Sequence, residues 1–554
     1  MSTQESPQQQ VAAPSPLLVI LLSAMAGGMG WGIRGQYGHE TGAMIAGALV
    51  GLVLTFFFCP LASSLFTARA VALMTVAIGF GGSMTYGQTV GLTHDAPLIG
   101  NSDALTWGLV GLFIKGGIWI AFAGAFLGIG LSRVQYKSSE IATLLVAMVF
   151  LLFLGLSLIN SPFDPANKDL PNVYFSDQWF WEPDAELTPR PERWGGLLFA
   201  LVGVILYVSL IKRDQLAQML AVFGFLAGGF GFSIGQSVQA YHAWHPEVFE
   251  SGLFAEGALA QIVSNFNWWN MMETTFGAVF GAILAFGLWL NRGLIKTDAD
   301  EEPVEMSSGN EWLLIVVHVA AIIAWNFMSY RALDQFADHA ITMGLIPIIG
   351  IVSGRFWPYL LSLPIVILPI AGKTIRQLVY NEPQTEALLA RLGKAIEWIP
   401  NVGAQWSRSL VETIGASPQY LKALGWIAYG AIPVGLALIV ALLLFRQGQR
   451  GQSGRSFARW ALLFSAWTYF CLNFAFFEFS WPWAPLDQWT SRTPNASLFA
   501  ISLLGITLTT LFYGYRLKPL ATPAAATAFE PAPEPESAPE PAADQGQDPE
   551  RRVD

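Results

Sequence analysis

The sequence predicts an all-α, polytopic helical membrane protein of about fourteen transmembrane helices, with parallel helix-hairpin repeats in its first half. Three observations predict it. Apolar runs of roughly 17 to 25 residues, enough to cross ~30 Å of hydrocarbon, recur from residue 17 to residue 515. Only 12% of the 554 residues are charged while 53% are hydrophobic, and a soluble domain carries about twice that share of charge. The runs are continuously apolar rather than alternating, which excludes a β-barrel. The repeats follow from a polar phrase that closes several of the runs and returns in altered form.

That phrase is GGMGWGIRGQYGHE from Gly27 to Glu40, then GFGGSMTYGQTVGLTHD from Gly79 to Asp95, then GGFGFSIGQSVQAYH from Gly228 to His242. In the last two, Gln88 and Gln236 are each followed by His six residues on, at His94 and His242. An apolar helix ending in glycines, an amide and an imidazole, used three times, predicts one polar site built by internal duplication. The helix after the phrase also repeats: HETGAMIAGALVGL from His39 matches METTFGAVFGAILAFGL from Met272. The first eight spans therefore read as four helix hairpins, the third carrying the loop 161–193 in place of its polar phrase.

In chain order, residues 1–16 lack the basic region of a signal peptide and read as a disordered N-terminus, leaving the first apolar run as a helix. The first membrane half is 17–291, with spans near 17–33, 42–59, 70–90, 107–131, 141–160, 195–211, 219–238 and 271–291. Residues 292–311 form a cytoplasmic linker. The second half, 312–515, holds spans near 312–330, 340–354, 357–371, 425–445, 457–478 and 497–515, with an outer loop at 373–424. The pair within 340–371 is short and broken by Pro347, Gly350, Gly354, Pro358 and Pro364, so it reads either as two spans or as a re-entrant hairpin. QTEALLARLGKAIEWIPNV in the outer loop has helical periodicity, suiting an interfacial helix or a packed loop helix equally. The Pro/Ala/Glu-rich tail 516–554 reads as disordered and cytoplasmic.

Orientation follows from the cations. With both termini cytoplasmic, the inner connections hold Arg69, Arg133, Lys137, Lys212, Arg213, Arg292, Lys296, Arg355 and the four arginines between Arg446 and Arg459. The short outer connections hold Arg34, Arg331 and Arg492, and the outer loop 161–193 carries seven acids against three cations. The loop 373–424 disagrees, with six cations placed outside. The net charge of −10 and the absence of a basic patch exclude a nucleic-acid partner. Cys59 and Cys471 lie in apolar segments and suggest neither disulfide nor zinc framework.

The glycines fall every fourth residue: Ala24, Gly28 and Gly32; Gly79, Ser83, Gly87 and Gly91; Ala227, Gly231 and Gly235. Such spacing lets helices approach until backbones touch, and helix packing is the leading explanation of each. The rival is that glycine density near a helix end permits unwinding around a ligand. The literal GxGxxG at Gly30 lacks the preceding strand and carries no dinucleotide meaning.

The expected function is a transporter or permease for a small polar solute, with a polar cavity open to the outer face of a cell membrane. Arg34, Gln36, Gln88, Gln236 and Trp31 are the candidate solute-binding residues. Glu40, Lys115 and Glu273 are candidates for proton or charge coupling, since a charge within a span marks a partner or a pathway. Lys115 is shallow enough to snorkel outward or to pair with Glu273 or Glu40, and both acids lie near helix N-termini, where a capping role competes. The alternative is a membrane-embedded enzyme with an outward-facing His/Asp/Glu site acting on a lipid or lipid-linked substrate. His39, His94, Asp95, His242 and His245 are candidate metal ligands of that site, although their spacing matches no zinc motif. No nucleophile motif and no Walker loop is present. The partners expected are membrane lipids and the small-molecule substrate, a homo-oligomer is allowed, and the cofactor is unknown.

Overall fold

A computed structural model describes residues 14–296, 302–327, 340–379, 397, 402–415, 418–477 and 479–513. The segment 1–13, most of the helix read in 384–402 and the tail from residue 514 lie outside the described residues. The described chain is helical, and eleven of its helices are long and apolar enough to cross a membrane.

The first half comprises α1 (Pro16–Arg34), α2 (Thr41–Phe58), α3 (Ser64–Gly81), α4 (Gly87–His94), α5 (Ser102–Leu131), α6 (Ser138–Ile159), α7 (Trp194–Leu206), α8 (Gln215–Trp244), the short α9 (Pro246–Phe249) and α10 (Gly257–Ser264), and α11 (Trp268–Leu290). Each start has a local cause. Pro16 opens α1, where its missing N–H costs nothing. The side chains of Ser63, Asn101, Asp214 and Asn267 accept backbone N–H groups in the first turns of α3, α5, α8 and α11.

Six of these helices close a ring in the order α1, α2, α3, α5, α8, α11, with α11 returning to α1. Two crossings in it are glycine contacts. A Cβ on Gly27 would lie 2.2 Å from the Gly277 carbonyl oxygen, and one on Gly228 only 1.9 Å from that of Gly116. Backbones therefore touch where α1 meets α11 and where α8 meets α5, as small residues in lipid permit. The ring interior is packed rather than open. Trp31 lies 5.1 Å from Trp119, 4.2 Å from Phe276 and 5.6 Å from Phe280, centroid to centroid, and Phe232 stacks on Phe276 at 4.8 Å. α2 and α3 are wholly buried, which matches their unbroken apolar sequence.

The second half comprises α12 (Ser308–Phe327), α13 (Ile346–Ser353), α14 (Trp357–Val379), α15 (Gly403–Gly415), α16 (Pro418–Trp426), α17 (Ile432–Gln449), α18 (Gly454–Phe476) and α19 (Thr493–Phe512). α14 and α18 pack on α2 and α3. The end of the bundle opposite Arg34 is stitched by polar contacts: Arg69 donates to the Pro303 and Gly354 carbonyls at 2.8 and 2.9 Å, and Lys296 to Glu302 at 2.8 Å. Lys212 donates to Glu140 there at 2.9 Å.

Three expectations change. The run 70–90 is not one helix: α3 stops at Gly81, Ser83 to Tyr86 leave the helix, and α4 resumes at Gly87. The Gly81–Gly82 backbone lies against Trp119 and the His39 carbonyl, and a side chain on Gly82 would come within 2.3 Å of that oxygen. The third glycine phrase, by contrast, stays inside the unbroken 30-residue α8. In 340–371 the two arms are unequal. α13 is eight residues long after a π-turn, whereas α14 runs through Pro364 and Pro369 to Val379 and is long enough to cross.

Candidate functional site

Three helix termini meet at one end of the ring: the turn after α1, the break before α4 and the start of α11. Arg34 ends α1 at their centre and is 2% exposed. Its Nη2 donates to the Tyr86 hydroxyl at 2.6 Å and lies 3.5 Å from Oε1 of Glu273. Its Nη1 lies 3.4 Å from the Gly38 carbonyl and 3.3 Å from Nδ1 of His39. The guanidinium carbon sits 5.0, 5.4 and 5.7 Å from the rings of Trp31, Trp119 and Tyr86. An arginine is stabilised there by cation–π attraction, three acceptors and one carboxylate.

Glu273 is held by its own helix. Asn270 donates from Nδ2 to Oε2 at 3.1 Å and also to the Gly32 carbonyl at 2.7 Å, satisfying an orphan acceptor in the last turn of α1. Trp269 Nε1 donates to Oε1 at 3.3 Å. Gly35 makes room: a Cβ there would lie 2.1 Å from Oε2. Because Arg34 can only donate, His39 accepts at Nδ1 and carries its proton on Nε2. The imidazole keeps one face open yet is otherwise surrounded by protein. That crowding, with the Arg34 and Lys373 cations, holds its pKa down at about 3. It is neutral throughout the physiological range.

Beside Glu273 lies a small pocket lined by Asn270, Asn473, Asn495, Arg492 and phenylalanines. The Nδ2 atoms of Asn473 and Asn495 are buried without hydrogen-bond partners. Burial lowers the pKa of Arg492, with Glu273 opposing. On another side stands Lys373 of α14, close enough for its charge to act on Arg34 and His39. Among the described residues, cations thus outnumber acids around this centre, Arg34, Lys373 and Arg492 against Glu40 and Glu273.

The three phrases do converge, through residues other than their glutamines. Arg34 of the first meets Tyr86 of the second, whose ring lies 5.1 Å from Phe232 of the third. The amides go elsewhere. Gln88 donates to the Thr188 carbonyl at 3.1 Å and accepts from Arg190 N at 2.9 Å, both in the loop 161–193. Gln236 donates to Thr93 Oγ1 at 2.7 Å. Gln36 lies half-buried in the turn after α1.

Lys115 does not reach the surface or either expected acid. Its Nζ donates to Glu192 at 2.5 Å and to Thr89 at 2.7 Å, with both members of the ion pair fully buried. Glu192 also accepts from Ser176 Oγ, Phe175 N and Trp194 Nε1. The pair anchors the loop 161–193 into the ring. Glu40 precedes α2 without a side-chain cap bond, so the capping explanation is not what positions it. The histidines are dispersed: His94 bonds the Val90 carbonyl and lies 3.7 Å from Asp95, His242 stacks on Trp268 at 4.2 Å, and His245 lies 3.2 Å from Glu247. Among the described residues no three His, Cys, Asp or Glu side chains come together as a metal site would need.

Tyr86, Trp119, Asn270, Asn495 and Glu192 escaped the sequence reading. Tyr86 and Asn270 carried a usable signal, each standing within a few residues of a repeated motif; Glu192 carried none. The chain matches no family model, no curated protein and no solved structure.

Proposed function

We propose that this multi-pass membrane protein is a permease for a small anionic solute, with Arg34 as the solute's counter-charge and Glu273 as the proton-coupling carboxylate. The observation that supports it is the buried Arg34–Glu273 pair where the end of α1 meets the start of α11 beside the break between α3 and α4, a broken helix being the arrangement by which membrane carriers expose backbone and charge to a solute. At 3.5 Å the pair is looser than the Arg34–Tyr86 bond, and a solute carboxylate or phosphate can displace Glu273 from Arg34. The displaced carboxylate takes a proton, so that anion and proton move together without leaving an unpaired buried charge. Trp31 and Tyr86 position the guanidinium, the asparagine pocket offers further donors, and Lys115 serves the loop rather than the coupling step. The cation count supports an orientation with the Arg34 end outside and the Arg69 end and both termini in the cytoplasm.

The test is a pH dye trapped in proteoliposomes challenged with acetate, lactate, succinate, glutamate and phosphate. Proton entry with one of these anions, lost in Glu273→Gln and in Arg34→Gln, supports the reading. No anion-dependent proton movement across that panel overturns it.

One observation favours a second reading, a membrane-embedded enzyme acting on lipid. Beneath Arg34 the ring is filled by Trp31, Trp119, Phe276 and Phe280, all fully buried. An enzyme needs no path through that plug, whereas a carrier must move it. Conversion of liposome lipid during the same assay, detected by mass spectrometry and lost in Glu273→Gln, would select the enzyme.

A further inference from the structure

α17 and α18 are consecutive helices that splay apart. The crevice between them has a volume of about 840 Å³ and an almost wholly apolar lining, including Leu436, Leu443, Trp460, Trp467 and Cys471. That volume is in the range of ligand sites, ~300–1,000 Å³. The crevice opens sideways. Leu436, Ile439, Leu443, Trp460 and Trp467 are exposed along its rims, and α17 belongs to a 28-residue stretch, Lys422–Gln449, fit to cross a membrane. In a bilayer such an opening faces hydrocarbon, so water does not fill it.

Phe479 forms one end of this crevice and also lines a second cavity of about 630 Å³. The second cavity is of a different character. Ser480, Gln488, Thr490 and Glu397 line it together with Trp481 and Trp483, and among the described lining residues there is no lysine or arginine. It lies at the same end of the bundle as Arg492 and Asn495, where α18 ends and α19 begins. An apolar slot within the membrane thus shares Phe479 with a polar, aromatic chamber at its edge.

We propose that the two cavities form one lateral lipid site: a hydrocarbon chain of a membrane lipid lies between α17 and α18, and its head occupies the chamber beside Trp481. The head is a cationic or zwitterionic one bearing an ammonium group. Indole faces and the Glu397 carboxylate attract ammonium, and the same carboxylate repels a purely anionic head. This site is independent of the proposed permease reaction.

The probes are two diazirine-tailed phospholipids, one with a phosphatidylcholine head and one with a phosphatidylglycerol head, in nanodiscs around the full-length protein. Photolysis followed by peptide mapping is expected to label α17 and α18 near Trp460, Trp467 and Cys471 at least threefold above the equally exposed face of α6 at Phe150 and Phe153. The choline lipid should label more than the glycerol lipid. Glu397→Gln should remove that preference, while Thr468→Trp, which fills the crevice, should remove the labelling by both. Thr468→Trp can misfold, so Cys471 gives a second readout in unmodified protein. It is an exposed thiol, Cys59 is buried, and reaction of Cys471 with a maleimide should slow when phosphatidylcholine is added to delipidated protein in detergent. Even labelling of α6, α17 and α18 by both lipids, with no protection of Cys471, overturns the proposal. So does a disulfide-linked dimer through Cys471 forming in lipid, since the crevice would then receive a second copy of the chain.

Discussion

The guanidinium of Arg34 and the carboxylate of Glu273 meet 3.5 Å apart at the junction of α1 and α11, with only 2% and 3% of their side chains exposed. A charge pair so placed is costly to break, because either partner left alone remains buried and uncompensated.

Glu273→Gln should therefore lower thermal stability in detergent by about 3–5 kcal/mol if Arg34 stays charged and unpaired. Tyr86→Phe, which removes the 2.6 Å bond to the same guanidinium, should cost about 1.5–3 kcal/mol. Differential scanning fluorimetry of the purified variants checks both. Equal, negligible shifts would mean that solvent reaches Arg34.

A loss of similar size is expected at the other buried pair. Glu192→Ala leaves Lys115 with Thr89 alone and should destabilise the protein by about 3–5 kcal/mol. Lys115→Met combined with Glu192→Leu should recover most of that loss. Limited proteolysis should show the loop 161–193 released in the single variant and held in the double one.

Gly228→Ala adds one carbon at 1.9 Å from the Gly116 carbonyl oxygen. Overpacking of this kind costs about 1–3 kcal/mol. Gly293→Ala is the control, since nothing lies within 4 Å of its would-be Cβ. Thermal unfolding should separate the two substitutions. If Gly228→Ala melts with the parent protein, the crossing of α5 and α8 is looser than described.

The loop 161–193 should respond to pH through Asp177. Burial, then the Glu182 and Asp95 charges, raise its pKa from 3.8 to about 6. An acid with a raised pKa in the folded state binds its proton more tightly there than when unfolded. Its burial is thus without penalty at low pH and becomes costly as pH rises through 4 to 6. Amide exchange in the loop, corrected for intrinsic rates, should be roughly tenfold faster at pH 8 than at pH 5, solvent on one side of the carboxyl screening part of the effect. Asp177→Asn should abolish the difference. His39, held near a pKa of 3, should contribute no titration between pH 5 and 8.

How far the site was legible depends on the residue. Arg34, Glu273 and Lys115 stood out because a charge within an apolar run has few explanations. The pairing of Lys115 did not, because Glu192 is one of seven acids in a loop with no periodicity to rank them. The three glutamines promised a shared cavity on their repeated spacing. Yet α3 breaks before Gln88 while α8 continues past Gln236, so the same phrase sits on different backbones and turns its amide to different partners. Local spacing cannot reveal that difference, since at the break Gly82 lies against the His39 carbonyl, in the distant turn between α1 and α2.

The amino-acid order alone settled that the chain is helical, lies in a membrane and crosses it many times, because the length and apolarity of each run answer to the bilayer and not to its neighbours. It also located the end of the bundle where charge collects. Which side chains face one another was decided by the tertiary structure. Two glycine crossings and one broken helix set the distances between segments far apart in sequence, and the strength of a charge pair in a low-dielectric interior depends on those distances alone.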